Sequence, residues 1–392
     1  MVVLVFANVE PRKITRKRGL TLSSSHLFGD SMSFEIHADI RRAETPPASW
    51  YTDPMLWQHA VKAIFPASWQ WIADEDAVAV PGSCVPGFLN EHILDEPVVL
   101  VRDRSDVLRL LSNTCTHRGN IVVQERCISN ELRCRYHGRR FGLDGSFVAM
   151  PEFSGVENFP SADDHLQAVP MGSWAGLHFG SVSPQQSFDA WIAPVLARLG
   201  HLPLSLMRAE PSMHRDYVVR AHWALYVENY LEGFHIPFVH AGLNNVLDYG
   251  AYQTVLFDSS VLQIGIGSTS DDTFTFPAGH PEAGQNVAAW YFWLWPNLMI
   301  NAYPWGISMN IVQPLAPDRT RIRYRTYVWD ASRLGSGAGA DLDRVEREDG
   351  AIVEAVQRGL RSTIYRKGRY SPTREQGVHH FHRLLASALA SL

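Results

Sequence analysis

Between about residues 57 and 182 the apolar residues come in short runs, such as 97–101 and 166–169, cut by Gly, Pro, Asn and Asp. That texture predicts a small all-β module, in which brief strands alternate with turns. Asp144-Gly145 stands between Phe141 and Phe147 and is a strong hairpin signal, because the tight turn needs residues that tolerate positive φ. Residues 183–200 read as a linker followed by a short amphipathic helix over 191–199. Beyond it the pattern changes. A helical stretch around 223–234 is followed, from about residue 252, by long strand-like runs at 290–295, 298–303, 307–313 and 320–329. Two helices close the chain, over about 341–361 and 373–392. The simplest arrangement of this second part is an antiparallel sheet packed on helices, an α+β fold. No internal repeat is visible, and the small-residue stretch 335–340 reads as a surface loop.

A chain of 392 residues exceeds one comfortable core, so the two textures are expected to be two domains: a lead-in over 1–50, the β module over 51–185, and the α+β part over 186–392. With 46% hydrophobic and 19% charged residues the composition is that of a globular protein. The net charge of -5 argues against a nucleic-acid partner, which would call for clustered Lys and Arg. No uncharged apolar run reaches the roughly 18 residues of a membrane span, so no membrane association is expected. Residues 2–7 are too short for the apolar core of an export signal, and the basic residues Arg12, Lys13, Arg16, Lys17 and Arg18 follow that run instead of preceding it. Met32 offers a second plausible start, and 1–31 is set aside as an extension. The four cysteines, a low count, suit a reducing cytoplasm, where thiols persist as metal ligands more readily than as bridges.

Two of those cysteines sit in tight pairs with histidine. Cys115-Thr116-His117 and Cys134-Arg135-Tyr136-His137 have sixteen residues between them, and each runs into a glycine turn, Gly119 and Gly138, where backbone N–H groups can approach sulfur closely. One Cys and one His from each of two loops match a [2Fe–2S] cluster in which histidines replace cysteines on one iron. A structural zinc site is the alternative, although zinc favours Cys-x-x-Cys and His-x₃₋₅-His spacing. Cys84 and Cys127 have no such neighbours and read as buried or free thiols.

A second constellation lies at 228–240, where Glu228, Glu232, His235 and His240 fall within thirteen residues. On a helix Glu228, Glu232 and His235 share one face. His240 would point elsewhere, but Pro237 is expected to break or kink the helix and let it swing back beside His235. Two imidazoles and a carboxylate on one side of an ion form the facial triad of non-haem Fe(II) oxygenases; the bland alternative is a polar helix end with two surface histidines. A cluster in the same chain favours the iron, because a one-electron relay needs a destination. The third ligand must come from elsewhere. Apolar positions 352, 353 and 356 mark a buried helix face, and Asp349, three and four residues before it, either points inward as a ligand or stays a surface charge.

At these residues the sequence resembles the α subunits of Rieske non-haem iron oxygenases, over most of the chain after about residue 50. The resemblance implies an all-β Rieske domain joined to a catalytic domain of helix-grip type, with a curved antiparallel sheet on helices. It implies that Cys115, His117, Cys134 and His137 hold the cluster and that His235, His240 and Asp349 hold a mononuclear Fe(II). It places Glu232 as a carboxylate bridging to the second cluster histidine, His137, of a neighbouring subunit in a homotrimer. Electrons would come from NAD(P)H through a separate flavin/iron–sulfur reductase or a ferredoxin, and O₂ would hydroxylate a small organic substrate. Two positions depart from the family pattern. Glu232 stands where Asp is common, a trait of the choline and carnitine monooxygenase branch, and Arg139 follows Gly138 where the family commonly has Trp, which bears on cluster shielding or on the docking surface for the electron donor. The stretches 291–299, 305–306 and 376–381 also resemble that branch.

That branch points to a quaternary ammonium substrate. Trp290, Tyr291, Trp293, Trp295, Tyr303 and Trp305 could supply cation–π faces, or could equally be core. An aromatic-ring dioxygenase and an O- or N-demethylating monooxygenase fit the same residues. A pure Rieske electron-transfer protein would need only the first constellation.

Overall fold

The computed structural model describes residues 34–268 and 272–390. The basic segment at 12–18 and Met32 lie outside that range, as do the last two residues of the expected C-terminal helix. Helix α1 (Pro54–Ile64) starts on Asp53, whose side chain accepts from the Met55 N–H at 2.7 Å, with Pro54 in the first turn, where its missing N–H costs nothing.

Ten short strands follow: β1 (Gln70–Asp74), β2 (Ser83–Leu89), β3 (Glu96–Arg102), β4 (Leu108–Ser112), β5 (Cys127–Ile128), β6 (Leu132–Arg133), β7 (Arg140–Phe141), β8 (Phe147–Ala149), β9 (Met171–Trp174) and β10 (Leu177–Gly180). They form three antiparallel sheets, ordered β1-β10-β9, β4-β3-β2-β5 and β6-β7-β8. β3 explains why 97–101 is apolar without alternation: Val98 and Leu100 face one cluster, Val99 and Val101 face another, and all four are fully buried. The Asp144-Gly145 hairpin forms, with Phe141 paired to Phe147 and Gly145 at φ +87°. The run at 166–169 is not a strand; it contributes one isolated bridge, Ala168 to Leu111.

Helix α2 (Phe188–Leu199) leads into the second part: β11 (Arg208–Ala209), β12 (Arg215–Val219), α3 (Trp223–Tyr230), α4 (Ile236–Val239), α5 (Ala241–Val246), β13 (Gln253–Phe257), β14 (Ser260–Ile266), β15 (Val287–Leu294), β16 (Leu298–Tyr303), β17 (Gly306–Ala316), β18 (Arg319–Val328), α6 (Leu342–Gly359) and α7 (Gln376–Ala390). The sheet runs β11-β18-β17-β16-β15-β14-β13, antiparallel throughout, with β12 also on β18. One face packs Val261, Trp293, Met299 and Val312 against Trp223 of α3, Val353 of α6 and Phe381 of α7. The other packs Trp290, Phe292, Ile300 and Met309 against Trp191 and Val195 of α2 and against Trp174, Leu177 and Phe179 of the β module. The two parts therefore share a core, and the described residues form one compact unit.

Two expectations about local structure need correction. Ile352 and Val356 of α6 are 40% and 44% exposed; the face that turns inward carries Val353 and Gln357. Asp349 lies four residues before Val353 and shares that inward face. The stretch 335–340 is not simply a surface loop, because Gly339 is buried with a Cβ position only 2.7 Å from the Trp305 indole nitrogen.

His222 caps α3 as an acceptor, taking the Ala224 N–H on Nδ1 at 3.3 Å, while its Nε2 has no partner. Burial lowers its pKa from 6.5 to about 3, because a charge there would be both desolvated and opposed by an N–H. Between those values the unfolded chain takes up a proton that the folded one refuses, so stability falls as pH drops below 6.5. From pH 7 to about 5.5 this group alone should cost roughly 1 kcal/mol. His222→Gln, which keeps an acceptor, should flatten that part of the urea-unfolding pH profile by the same amount; an unchanged slope would show that His222 protonates without penalty.

Candidate metal centres

The two Cys/His loops are built alike. The Cys115 N–H donates to the Asn120 carbonyl at 2.8 Å and the Cys134 N–H to that of Arg139 at 2.9 Å. The Gly119 and Gly138 N–H groups return to the Cys115 and Cys134 carbonyls at 2.9 and 3.0 Å. Both glycines have positive φ, +71° and +74°, which an L-residue adopts at a cost. Each turn aims backbone N–H groups at its sulfur: His117 toward Cys115, and Tyr136 and His137 toward Cys134, with the Asn120 amide 3.4 Å from Cys134 Sγ. Burial works to raise the Cys134 pKa, but these donors outweigh it and the thiol sits below its ordinary value.

The imidazoles of His117 and His137 lie side by side, ring centroids 4.8 Å apart, with Phe153 against the first and Tyr136 against the second. A single tetrahedral ion would draw all four donors within about 4 Å of one another. Among the described residues, these four do not form such a group even at 4.8 Å, so the quartet spans more than one ion's sphere and fits a two-iron cluster better than zinc.

Arg139 does not reach a docking surface. It is 2% exposed, pairs with Asp164, and lies over the rings of Phe147 and Phe159 at 5.0 and 5.4 Å. Asp164 in turn receives the Thr116 hydroxyl on its carbonyl, so Arg139 ties both loops to the segment that flanks them. Cys84 and Cys127 have each other: they are directly opposed across β2 and β5, Cys84 buried with its thiol pushed up to about 12 and Cys127 exposed.

In the second part α3 stops at Tyr230, so Glu232 and His235 occupy a turn instead of a helical face. Pro237 does not break a helix. It sits in the first turn of α4, and His235 and His240 flank that one-turn helix at its two ends. Glu228 points away, to Tyr51 at 2.8 Å and His382 at 3.0 Å. The turn places His235 Nε2 3.2 Å from His240 Nε2, and Asp349 Oδ1 3.5 and 3.0 Å from them. Each Nδ1 faces a carboxylate, Glu232 at 2.7 Å and Glu348 at 2.8 Å.

Those outer contacts decide the chemistry. In the neutral form that binds a metal, an imidazole that donates from Nδ1 to its carboxylate turns its Nε2 lone pair inward, here toward the other ring and toward Asp349 Oδ1. Three lone pairs converging on one point repel unless a cation sits among them. Among the described residues it is this trio whose donors all come within 4.8 Å, and the two-His, one-carboxylate set fits Fe(II). The Asp349 side chain, 15% exposed, is no solvated surface charge.

Residues 68–160 match the Rieske [2Fe-2S] domain and 206–391 the ring hydroxylating alpha subunit catalytic domain. The chloroplastic choline monooxygenase of Arabidopsis thaliana is 30% identical over 375 residues, spanning 90% of this chain and 84% of that protein. The chain belongs to the Rieske ring-hydroxylating oxygenase α-subunit family. The carnitine monooxygenase oxygenase subunit of Escherichia coli K12 is also 30% identical, over 89% of this chain and 95% of its own. Among solved structures, the quaternary ammonium Rieske monooxygenase CntA in complex with an inhibitor superposes with a TM-score of 0.70 at 25% identity, covering 89% of this chain and 96% of that one. Naphthalene 1,2-dioxygenase from Rhodococcus sp., at 18% identity and a TM-score of 0.66, shares the fold. As a Rieske oxygenase α subunit the chain carries a [2Fe–2S] domain and a mononuclear-iron domain, and depends on a reductase partner.

Beside the His235 site of this oxygenase lies a pocket lined by residues of α3, α6 and the sheet. Of the six aromatics expected there, Tyr291 and Tyr303 line it, joined by Tyr226, Tyr230 and Tyr252. Trp290 and Trp293 are core on opposite faces of the sheet, Trp295 packs against Phe381, and Trp305 stacks behind Tyr303. Glu346, three residues before Asp349, also faces the pocket; burial and the Asp349 charge push its carboxyl up to about 7.

Glu348 was not singled out from sequence, although its place next to Asp349 in the chain was a usable signal. It reaches His240 Nδ1 and is itself held by Arg344 at 2.9 Å, which fixes the tautomer that offers Nε2 inward. Glu348→Ala should weaken retention of the mononuclear iron by roughly 10–100-fold and leave the cluster's visible spectrum unchanged. Iron retention equal to wild type during chelator challenge would show that packing alone orients His240.

Proposed function

We propose that this α subunit hydroxylates a small quaternary ammonium compound, of the choline or carnitine kind. Region 51–185 would carry the cluster on Cys115, His117, Cys134 and His137, and 186–392 the iron on His235, His240 and Asp349. The observation that carries the reading is the conjunction of 30% identity to choline and carnitine monooxygenases over about nine-tenths of the chain with a tyrosine-walled pocket opening on the His/His/Asp trio. Aromatic faces attract a trimethylammonium group by roughly 0.5–2 kcal/mol each. When bound, the iron activates O₂ with electrons relayed by the cluster, which NAD(P)H charges through a flavin/iron–sulfur reductase or ferredoxin.

The chain's own residues hold the rest in register. The tyrosines position the substrate over the trio, Glu232 and Glu348 hold the two imidazoles, and the buried walls exclude water. Among the described residues no hydrogen bond, ion pair or ring contact joins the Cys/His loops to the His235 site, which supports a route between subunits: His137 of one chain to Glu232 of the next, in a homotrimer. Phe234 and Phe238, 41% and 80% exposed beside Glu232, and Tyr136, 56% exposed beside His137, are the kind of surface such an interface would cover. A cytoplasmic setting fits the free thiols.

NADH-dependent O₂ consumption, measured with a surrogate reductase across choline, betaine, carnitine and aromatic acids, tests the proposal. Stimulation by a quaternary ammonium compound is expected. Stimulation by the aromatic acids alone would move the enzyme to the ring-hydroxylating class.

A further inference from the structure

We infer that the pocket beside His235, His240 and Asp349 selects a small organic cation that bears a hydroxyl and lacks a carboxylate, with Glu346 as counter-ion to the cationic group and Gln263 as acceptor for the hydroxyl. The inference rests on the quaternary ammonium reading and narrows it.

The first observation is the sign of the wall. No Lys or Arg lines the pocket among the described residues, while Glu232, Glu346 and Asp349 do. Glu232 is engaged by His235, and Asp349 faces the two imidazoles. Glu346 has no cation beside it. Its oxygens receive the hydroxyls of Tyr226 and Tyr324, and the Asn310 amide stands at 3.4 Å. Those donors hold the side chain in place and favour its ionised form, and a cation held by the surrounding rings would favour that form further. A substrate carboxylate, as in carnitine or betaine, would find no Lys or Arg to receive it, and the charge of Fe(II) on the trio is already offset by Asp349 and by Glu232 and Glu348 behind the imidazoles, which leaves Glu346 to repel it.

The second observation is independent of charge. Gln263 is 1% exposed and lines the same pocket. Its Nε2 donates to the Tyr230 carbonyl at 2.6 Å, which fixes the amide's orientation, and its Oε1 has no donor in the protein. A buried acceptor left unpaired is costly and calls for a donor from outside. Gln263 opposes Tyr291 across β14 and β15, and Tyr291 opposes Asn301 across β15 and β16, so the acceptor sits in a row of pocket-facing residues. A hydroxyl on the substrate would supply the missing hydrogen.

The test is direct binding to the iron-loaded holoenzyme by calorimetry, with five probes: choline, L-carnitine, tetramethylammonium, benzoate, and the uncharged isostere of choline in which a tert-butyl group replaces trimethylammonium. Wild type should bind choline at least about thirty-fold more tightly than L-carnitine and than the uncharged isostere, the size expected for a buried charge pair. Glu346→Gln should abolish the advantage of choline over the isostere while the isostere still binds, which also reports an intact pocket. Gln263→Leu should narrow the gap between choline and tetramethylammonium. Carnitine binding to wild type as tightly as choline, or choline affinity unchanged in Glu346→Gln, would overturn the inference and leave the quaternary ammonium reading standing. Binding of benzoate with none of the ammonium probes would overturn both.

Discussion

Asp349→Ala should lower the iron content from about three to about two per chain, abolish substrate-dependent O₂ uptake, and leave the visible spectrum of the cluster intact. Asp349 Oδ1 is the carboxylate member of the converging trio, 3.0 Å from His240 Nε2 and 3.5 Å from His235 Nε2. Without it two neutral imidazoles remain, and two ligands hold Fe(II) far more weakly than three. The loss of activity should therefore exceed the roughly 10–100-fold that removal of an outer partner such as Glu348 costs. The side chain is only 15% exposed and faces the two imidazoles, so truncation leaves a small polar hole beside them. Full iron occupancy in the variant would mean that another carboxylate, Glu346 or Glu348, takes the position.

Different parts of this site were legible for different physical reasons. The cluster loops were readable because their geometry is local: a Cys and a His with one or two residues between them, then a glycine that closes the turn, repeated in both loops. His235 and His240 were readable as a pair for the same reason, although the device that brings them together was misjudged. Proline was expected to break a helix, whereas the chain leaves the helix at Leu231 and uses Pro237 to start a new turn.

Asp349 lies 109 residues from His240 and no local pattern announces it; resemblance to the family placed it. The pocket wall was harder still. Tyr291 and Trp290 are neighbours with opposite fates, because successive strand residues face opposite sides and both sides of this sheet are buried. An apolar run covered on both faces carries no alternation to tell pocket from core. The tyrosines that do line it arrive from α3, the segment after α5, β15 and β16, a grouping that only the tertiary fold supplies.

Glu232→Gln should keep both metal centres and still come close to abolishing turnover. The carboxylate is nearly saturated within its own chain: Oε1 accepts from His235 Nδ1 at 2.7 Å, and Oε2 accepts the Phe234 N–H and the His235 N–H, the latter at 3.1 Å. Of roughly four lone-pair sites on a carboxylate, one is then left for a donor from outside, which is what a bridge to His137 of a neighbouring subunit requires. Glutamine has the same shape but one acceptor oxygen and one N–H₂ group. Whichever way the amide turns, a donor meets a donor, either at His235 Nδ1 or at the backbone N–H groups. The turn that positions His235 should survive with one bond weakened, so iron and sulfide contents should match wild type. Electron passage should not: after anaerobic reduction and mixing with O₂ and substrate, the cluster should stay reduced for many wild-type turnover times. Reoxidation at the wild-type rate would assign Glu232 to folding of the turn alone and send the electron path elsewhere.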